Sequence, residues 1–283
     1  MGEIAAKILA SGDGWSACDL VCTAGPRDRP YEEQHSGWSI AVVVGGSFKY
    51  HSNRGAAVMS PGALLLGNCG EYFECSHEHA TGDRCLSFRY TPEFFAGSVA
   101  PAFRIPRIPA LSQVAPWAAM AQLAVRAPQK VNFDELACGL VGIAVELQEN
   151  HRKGERAPGP ADQRRISSSL RLLEAHFNQP LRLRQLASAV GMSDFQFLRT
   201  FRQVTGVTPH QYLLRTRLRA AALSLATRPA KVLEIALASG FEDLSNFNHA
   251  FRAEFGVNPR AFIPTCPPAR LPASPLSRSR MLS

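Results

Sequence analysis

Residues 206–212 read GVTPHQY and residues 256–262 read GVNPRAF, one Gly-Val-x-Pro-x-x-aromatic phrase written twice, fifty positions apart. A chain that repeats a phrase at this spacing must build the same supersecondary unit twice. The copies extend well beyond the phrase. LASAVG (186–191) overlays IALASG (235–240), and DFQFLRTFRQVTGVTPHQY (194–212) overlays LSNFNHAFRAEFGVNPRAF (244–262) after one extra residue in the turn. Each copy has the pattern of a helix, a turn and a second helix. The first helix ends at Gly191 or Gly240, residues suited to a left-handed C-cap. Ser193 or Asp243 then stands where an N-cap is needed. Phe197 and Phe201, or Phe247 and Phe251, recur at i, i+4 and mark the buried face of the second helix. Pro209 and Pro259 occupy helix-opening positions, so the repeated phrase closes one helix and starts the next.

The face opposite the Phe pairs carries Asp194, Phe195, Leu198, Arg199 and Arg202 in the first copy, and Leu244, Ser245, Asn248, His249 and Arg252 in the second. Between the copies, QYLLRTRLRAAALSLATR (211–228) reads as a strong helix able to set the distance between two reading heads. Charge is placed to match. Residues 160–283 hold 17 Lys+Arg against 7 Asp+Glu, a balance of +10, whereas residues 1–159 stand at −2. A basic segment containing two such units points to a polyanion partner, nucleic acid before membrane. The repeat then implies that one protomer reads two stretches of major groove on one face of double-stranded DNA, roughly 34 Å apart.

The first ninety residues read as strands and turns and 91–109, with Pro92, Pro101, Pro106 and Pro109, as irregular, so residues 1–110 are taken as one domain. SIAVVVGG (39–46) is a β-branched run whose Gly45-Gly46 ending suits a tight reversal into SFKYHS. VMSPGALLLGNCGE (58–71) follows as turn, short buried strand and turn. A small barrel or sandwich fits this pattern. Helical spacing takes over in PWAAMAQLAVRA and NFDELACGLVGIAVELQENHR, with Asn132 as N-cap, so residues 111–151 are expected to form a helical hairpin. Residues 152–165 read as a linker and 264–283 as a disordered Pro/Ser/Arg-rich tail, leaving 166–263 for the repeat domain. The fold class is therefore α+β. No run of eighteen apolar residues and no signal-peptide pattern occurs, so a cytoplasmic protein without membrane association is expected.

Residues 166–263, and EIALASGFEDLSNFNHAFRAEFGVNPRAF above all, resemble the AraC/XylS family of bacterial transcription regulators. The resemblance implies an all-α domain with two helix-turn-helix motifs joined by a linker helix, binding promoter DNA and contacting RNA polymerase. Carried over by position, Phe195, Gln196, Leu198, Arg199 and Arg202 would meet DNA from the first recognition helix, beside Asp194 on the same face. Ser245, Asn246, Asn248 and His249 would do so from the second, with Arg252 as a phosphate anchor. Arg199 is the best base reader, because a guanidinium matches the guanine O6/N7 edge. Many members carry Ser-Arg where this chain has Asn248-His249, so the second helix is expected to read fewer bases. SIAVVVGGSFKY and SPGALLLGNCGE resemble the cupin-like sensor domain of the same family, which implies a small effector bound in or near a barrel, and a hairpin that mediates homodimerisation. An activator is the expectation.

FECSHEHATGDRC (73–85) is the densest chemistry outside the repeat. Cys75, His77 and His79 alternate, which on a strand points them one way, and the Gly82-Asp83 turn returns Cys85 beside them. Cys69, with His35 or His51, could join. Sulfur with imidazole suits zinc, copper or nickel. A low-pKa thiol pair would suit an oxidant sensor instead, and free cysteine is also simply a small buried apolar residue. All three readings stay open from sequence. A cupin-type metalloenzyme needs about three histidines and a carboxylate around open coordination positions. The first half offers His35, His51, His77 and His79 without a clear two-His-plus-Glu motif, so the chain is read as a regulator and not an enzyme.

Overall fold

Apolar runs such as SIAVVV and ALLLG have no polar alternation because both faces of their strands are covered. In the computed structural model, which describes residues 2–77, 82–96, 100–149 and 158–262, these runs form the middle layer of three. Strand β4 (Trp38–Gly46) sends Ile40 and Val42 to one core and Ala41 and Val43 to the other. Strand β7 (Leu64–Gly67) divides Leu64 and Leu66 from Leu65 in the same way. Both lie in a six-stranded antiparallel sheet with β1 (Ile4–Gly12), β2 (Trp15–Cys22), β9 (Asp83–Tyr90) and β10 (Arg107–Ile108), in the order β1-β2-β9-β4-β7-β10. A four-stranded sheet faces it, ordered β3-β8-β5-β6, from β3 (Tyr31–Gln34), β5 (Phe48–Ser52), β6 (Gly55–Met59) and β8 (Tyr72–Ser76). Phe48, Tyr50 and Met59 close the core between the sheets. This is the β-rich part of the chain.

Gly45-Gly46 does not make the tight hairpin expected of it. The β4–β9 register slips between Val43 and Gly45, and Gly46 takes a φ of +72°. The chain then passes from the large sheet to the small one, where β5 pairs with β6 and β8. A bulge followed by a left-handed glycine turns a strand out of its sheet, which the dipeptide alone does not distinguish from a hairpin.

Helices α1 (Ala115–Ala124) and α2 (Phe133–Glu149) cover the other face of the large sheet. Asn132 caps α2, accepting from the Glu135 N–H at 3.3 Å. The two helices meet where Trp117 lies over Gly139, a place with no room for a side chain. Almost every residue of α1 is buried, since its far side packs on α6 (Pro209–Thr227) and α8 (Leu244–Phe255). Helix α3 (Pro160–Ala175) begins inside the stretch read as linker. Pro160 sits in the first turn after Gly159, and Asp162 adds acidic charge there, so a Pro-Gly-Pro run that looks like a spacer is a helix start. The expected tail, 264–283, lies outside the described residues. No helix among the described residues is long and apolar enough to cross a membrane.

Candidate functional site

The repeat folds as two matched units. In the first, α4 (Leu183–Ala189) buries Leu186 and Ala187, and Gly191 at φ +65° turns the chain. Ser193 accepts from the Gln196 N–H at 3.3 Å and opens α5 (Asp194–Thr205). In the second, α7 (Val232–Ala238) buries Ile235 and Ala236, Gly240 turns at φ +86°, and Asp243 accepts from the Asn246 N–H at 2.7 Å to open α8. Phe197 and Phe201 are fully buried with ring centroids 5.6 Å apart; Phe247 and Phe251 are fully buried at 5.4 Å. Left-handed Gly206 and Gly256 end α5 and α8. Thr208 and Gln211 then form a reciprocal capping box that starts α6.

With the Phe pairs turned inward, the outward residues follow from the 3.6-residue period. Asp194, Phe195, Gln196, Leu198, Arg199 and Arg202 are all exposed, and Phe195 shows 78% of its surface. On α8, Ser245, Asn246, His249 and Arg252 are exposed while Asn248 is half-buried. Among the described residues, Arg199, Arg202 and Arg252 have no ion-pair partner, which leaves their guanidinium donors for another molecule. The arginines of α6 are different. Arg215 pairs with Glu254 of α8 at 2.9 Å and donates to the Ala110 carbonyl. Arg217 donates to the carbonyls of Phe177 and Gln179, and buried Arg219 reaches Thr216 and Glu174. Their role is to hold the two units in one pose, which the charge count could not separate from binding.

The back of this domain is docked on the β-rich part. Val58 of β6 joins the core of α3, α4 and α5. Arg107 donates to the carbonyls of Val58 and Val204, both at 2.7 Å, and burial pushes its guanidinium down to about 10. Lys130 donates to the Ala226 carbonyl at the end of α6.

The thiol and imidazole residues are arranged otherwise than strand alternation implied. His77 places Nε2 2.5 Å from Asp83 Oδ1 and leans on the Phe48 ring. Cys22, at the end of β2, is the cross-strand partner of Asp83 at the start of β9. The ligand atoms of Cys22, His77 and Asp83 lie within 4.8 Å of one another. Cys75 and Cys85 instead line the core between the sheets, Cys85 donating to Asp83 Oδ2 at 3.4 Å. His79 lies outside the described residues. Cys69 and His51 are exposed, and His35 is held elsewhere by Tyr50 at 2.9 Å and a stacked Phe73. None of the three joins the cluster. Burial first, then the Asp83 carboxylate, pushes the Cys75 and Cys85 thiols up. Burial likewise raises Cys22, against the pull of the Ala24 N–H. An oxidant sensor requires the opposite shift. Cys22 and Asp83 were missed in sequence because only the β2–β9 register brings them together.

A family model described as a helix-turn-helix domain matches residues 186–264. The probable transcriptional regulator LumQ of Photobacterium leiognathi is 33% identical over 90 residues, 32% of this chain and 36% of that protein. The HTH-type transcriptional activator RhaS of Klebsiella pneumoniae is 36% identical over 96 residues, 34% of each chain. A solved transcriptional regulator from Chromobacterium violaceum with an AraC-type DNA-binding domain is 31% identical over 36% of this chain and 91% of its own, with a TM-score of 0.34. The match to LumQ and RhaS thus spans about a third of each. The family model, together with the matched folds of α4–α5 and α7–α8, identifies residues 186–264 as a helix-turn-helix domain, similar in sequence to the transcription regulators LumQ and RhaS.

Proposed function

We propose that this protein is a sequence-specific transcription regulator whose two helix-turn-helix motifs, α4–α5 and α7–α8, read successive major grooves of promoter DNA. One observation carries the proposal: two helices in matched poses, each backed by a buried Phe pair, present exposed polar residues, among them arginines with no ion-pair partner among the described residues. Base readout rests on Arg199, with Arg202 and Arg252 toward phosphate. Helix α8 offers Ser245, Asn246 and His249, shorter or weaker donors than a guanidinium, and reads fewer bases than α5.

In this reading the cupin-like part takes a small effector, and the signal travels through α1, which packs on the large sheet and on α6 and α8. The protein acts as an activator through RNA polymerase; the name of RhaS as an activator supports this sense. Homodimer contacts on the hairpin fall to α2, because both long faces of α1 are committed inside the chain. The chain works without catalysis.

The test is binding-site selection from a random DNA pool, followed by footprinting. Two protected segments about one helical turn apart, with preference over non-specific DNA of ~10³ or more, are expected. An architectural binder would show no enriched site and affinity governed by salt alone. That outcome would overturn the reading.

A further inference from the structure

The β-rich part ends in a small group of unlike donors that the DNA-binding function does not use. Cys22 closes β2, Asp83 opens β9 opposite it, and His77 follows β8 on the facing sheet. Sulfur, imidazole nitrogen and carboxylate oxygen therefore converge, within 4.8 Å of one another, where the two sheets meet. The backbone around them is packed too closely for side chains. A Cβ on Gly82 would stand 2.7 Å from the Cys22 carbonyl, and both Gly82 and Gly46 hold positive φ. The three donors are thus brought together by register and by two glycine turns, from three separate stretches of chain. Half-buried Cys75 and buried Cys85 border the group, and Cys85 orients Asp83 through its second oxygen.

We propose that Cys22, His77 and Asp83 bind one zinc ion at this end of the barrel. Thiolate, imidazole and carboxylate are the three ligand types of zinc, and a thiolate disfavours magnesium and calcium. Tetrahedral zinc with bonds of about 2.0–2.3 Å needs ligand atoms roughly 3.3–3.7 Å apart. The trio reaches that spacing by small side-chain movements: the His77–Asp83 hydrogen bond opens and Cys22 closes in. Cys22 gives its proton to solvent and binds as thiolate, His77 binds as neutral imidazole through Nε2, and Asp83 binds as carboxylate. The fourth position is left for water or an exogenous donor. Bound zinc would pin β8 against β2 and β9. The site departs from the sequence expectation by using Cys22 and Asp83 in place of Cys75 and Cys85.

The test uses the full chain, stripped with chelator and titrated with zinc against a chromogenic chelator, then with cobalt as a spectroscopic probe. One zinc per chain is expected, and a thiolate-to-cobalt charge-transfer band. Cys22→Ser and Asp83→Asn, both nearly isosteric, should each weaken zinc by at least about 10-fold, and Cys22→Ser should abolish the band. Cys69→Ser and Cys138→Ser, at exposed thiols outside the group, should change neither. The proposal is overturned if wild-type protein takes up no stoichiometric zinc or shows no thiolate band. Retention of full affinity by folded Cys22→Ser or Asp83→Asn protein, judged by circular dichroism, overturns it equally.

Discussion

Two side chains show how environment decides what a residue type does. Arg199 has no ion-pair partner among the described residues, so its five donors are left for a base edge, and Arg199→Ala should cost ~1–3 kcal/mol and relax preference at one or two base pairs. A gel-shift series over single-base variants of the selected site checks this; unchanged preference would remove Arg199 from base readout. His35 is the opposite case. Its ring stacks on Phe73 and meets the Tyr50 hydroxyl, and burial pushes the imidazole down to about 4 against the weaker upward pull of Glu71. The unfolded chain, with a value near ~6.5, takes up this proton first as pH falls, so stability is present above that value and lost on the way down to 4. The loss attributable to His35 is roughly 2 kcal/mol between about pH 7 and pH 5. Urea denaturation at both values should show it in wild-type protein and not in His35→Gln. The alternation of Cys75, His77 and His79 was plain in sequence, but their partners were not. His77 meets Asp83 and Cys22 across strand boundaries that no local pattern encodes.

At the scale of elements, the helices of the repeat were legible down to their caps. Ser193 and Asp243 accept from the N–H groups three residues on, as their side chains and position imply. Replacing either with alanine should cost ~1 kcal/mol. Gly206 and Gly256 look equivalent in sequence and both take positive φ, but their surroundings differ. A Cβ at Gly256 meets open space, whereas one at Gly206 falls 2.5 Å from the Pro109 ring of the β-rich part. Gly256→Ala should cost about 1–2 kcal/mol from backbone strain alone, and Gly206→Ala clearly more. Thermal unfolding of the two variants decides it; equal losses would mean that the Pro109 contact yields without cost. The start of α3 was the element least visible, because Pro158-Gly159-Pro160 serves a linker and a helix start equally well.

Across the whole molecule, the two parts are joined by polar contacts between residues far apart in the chain. Arg215 is central, pairing with Glu254 of α8 while donating to the Ala110 carbonyl at the foot of the β-rich part. Both charged side chains are nearly buried. Arg215→Met should therefore destabilise by ~3 kcal/mol or more, since it strands a buried carboxylate. Adding Glu254→Gln should recover much of that loss. Chemical denaturation of the two single variants and the double variant closes the cycle, and additive losses would show that the pair is not coupled. Helix α1 adds an apolar link, packing on the large sheet and on α6 and α8.

Local chemistry in the sequence was enough for the two helix-turn-helix units, because caps, left-handed glycines and i, i+4 aromatics act within a few residues of one another. It was also enough for the β-rich character of the first half and the helical period of residues 115–149. Four outcomes needed the tertiary structure: the crossing of Gly45-Gly46 between sheets, the burial of α1 on both sides, the structural use of Arg215, Arg217 and Arg219, and the meeting of Cys22 with His77 and Asp83. Each depends on which segments pair across dozens of residues. Hydrophobic burial selects that pairing over the whole chain, and no single stretch contains it.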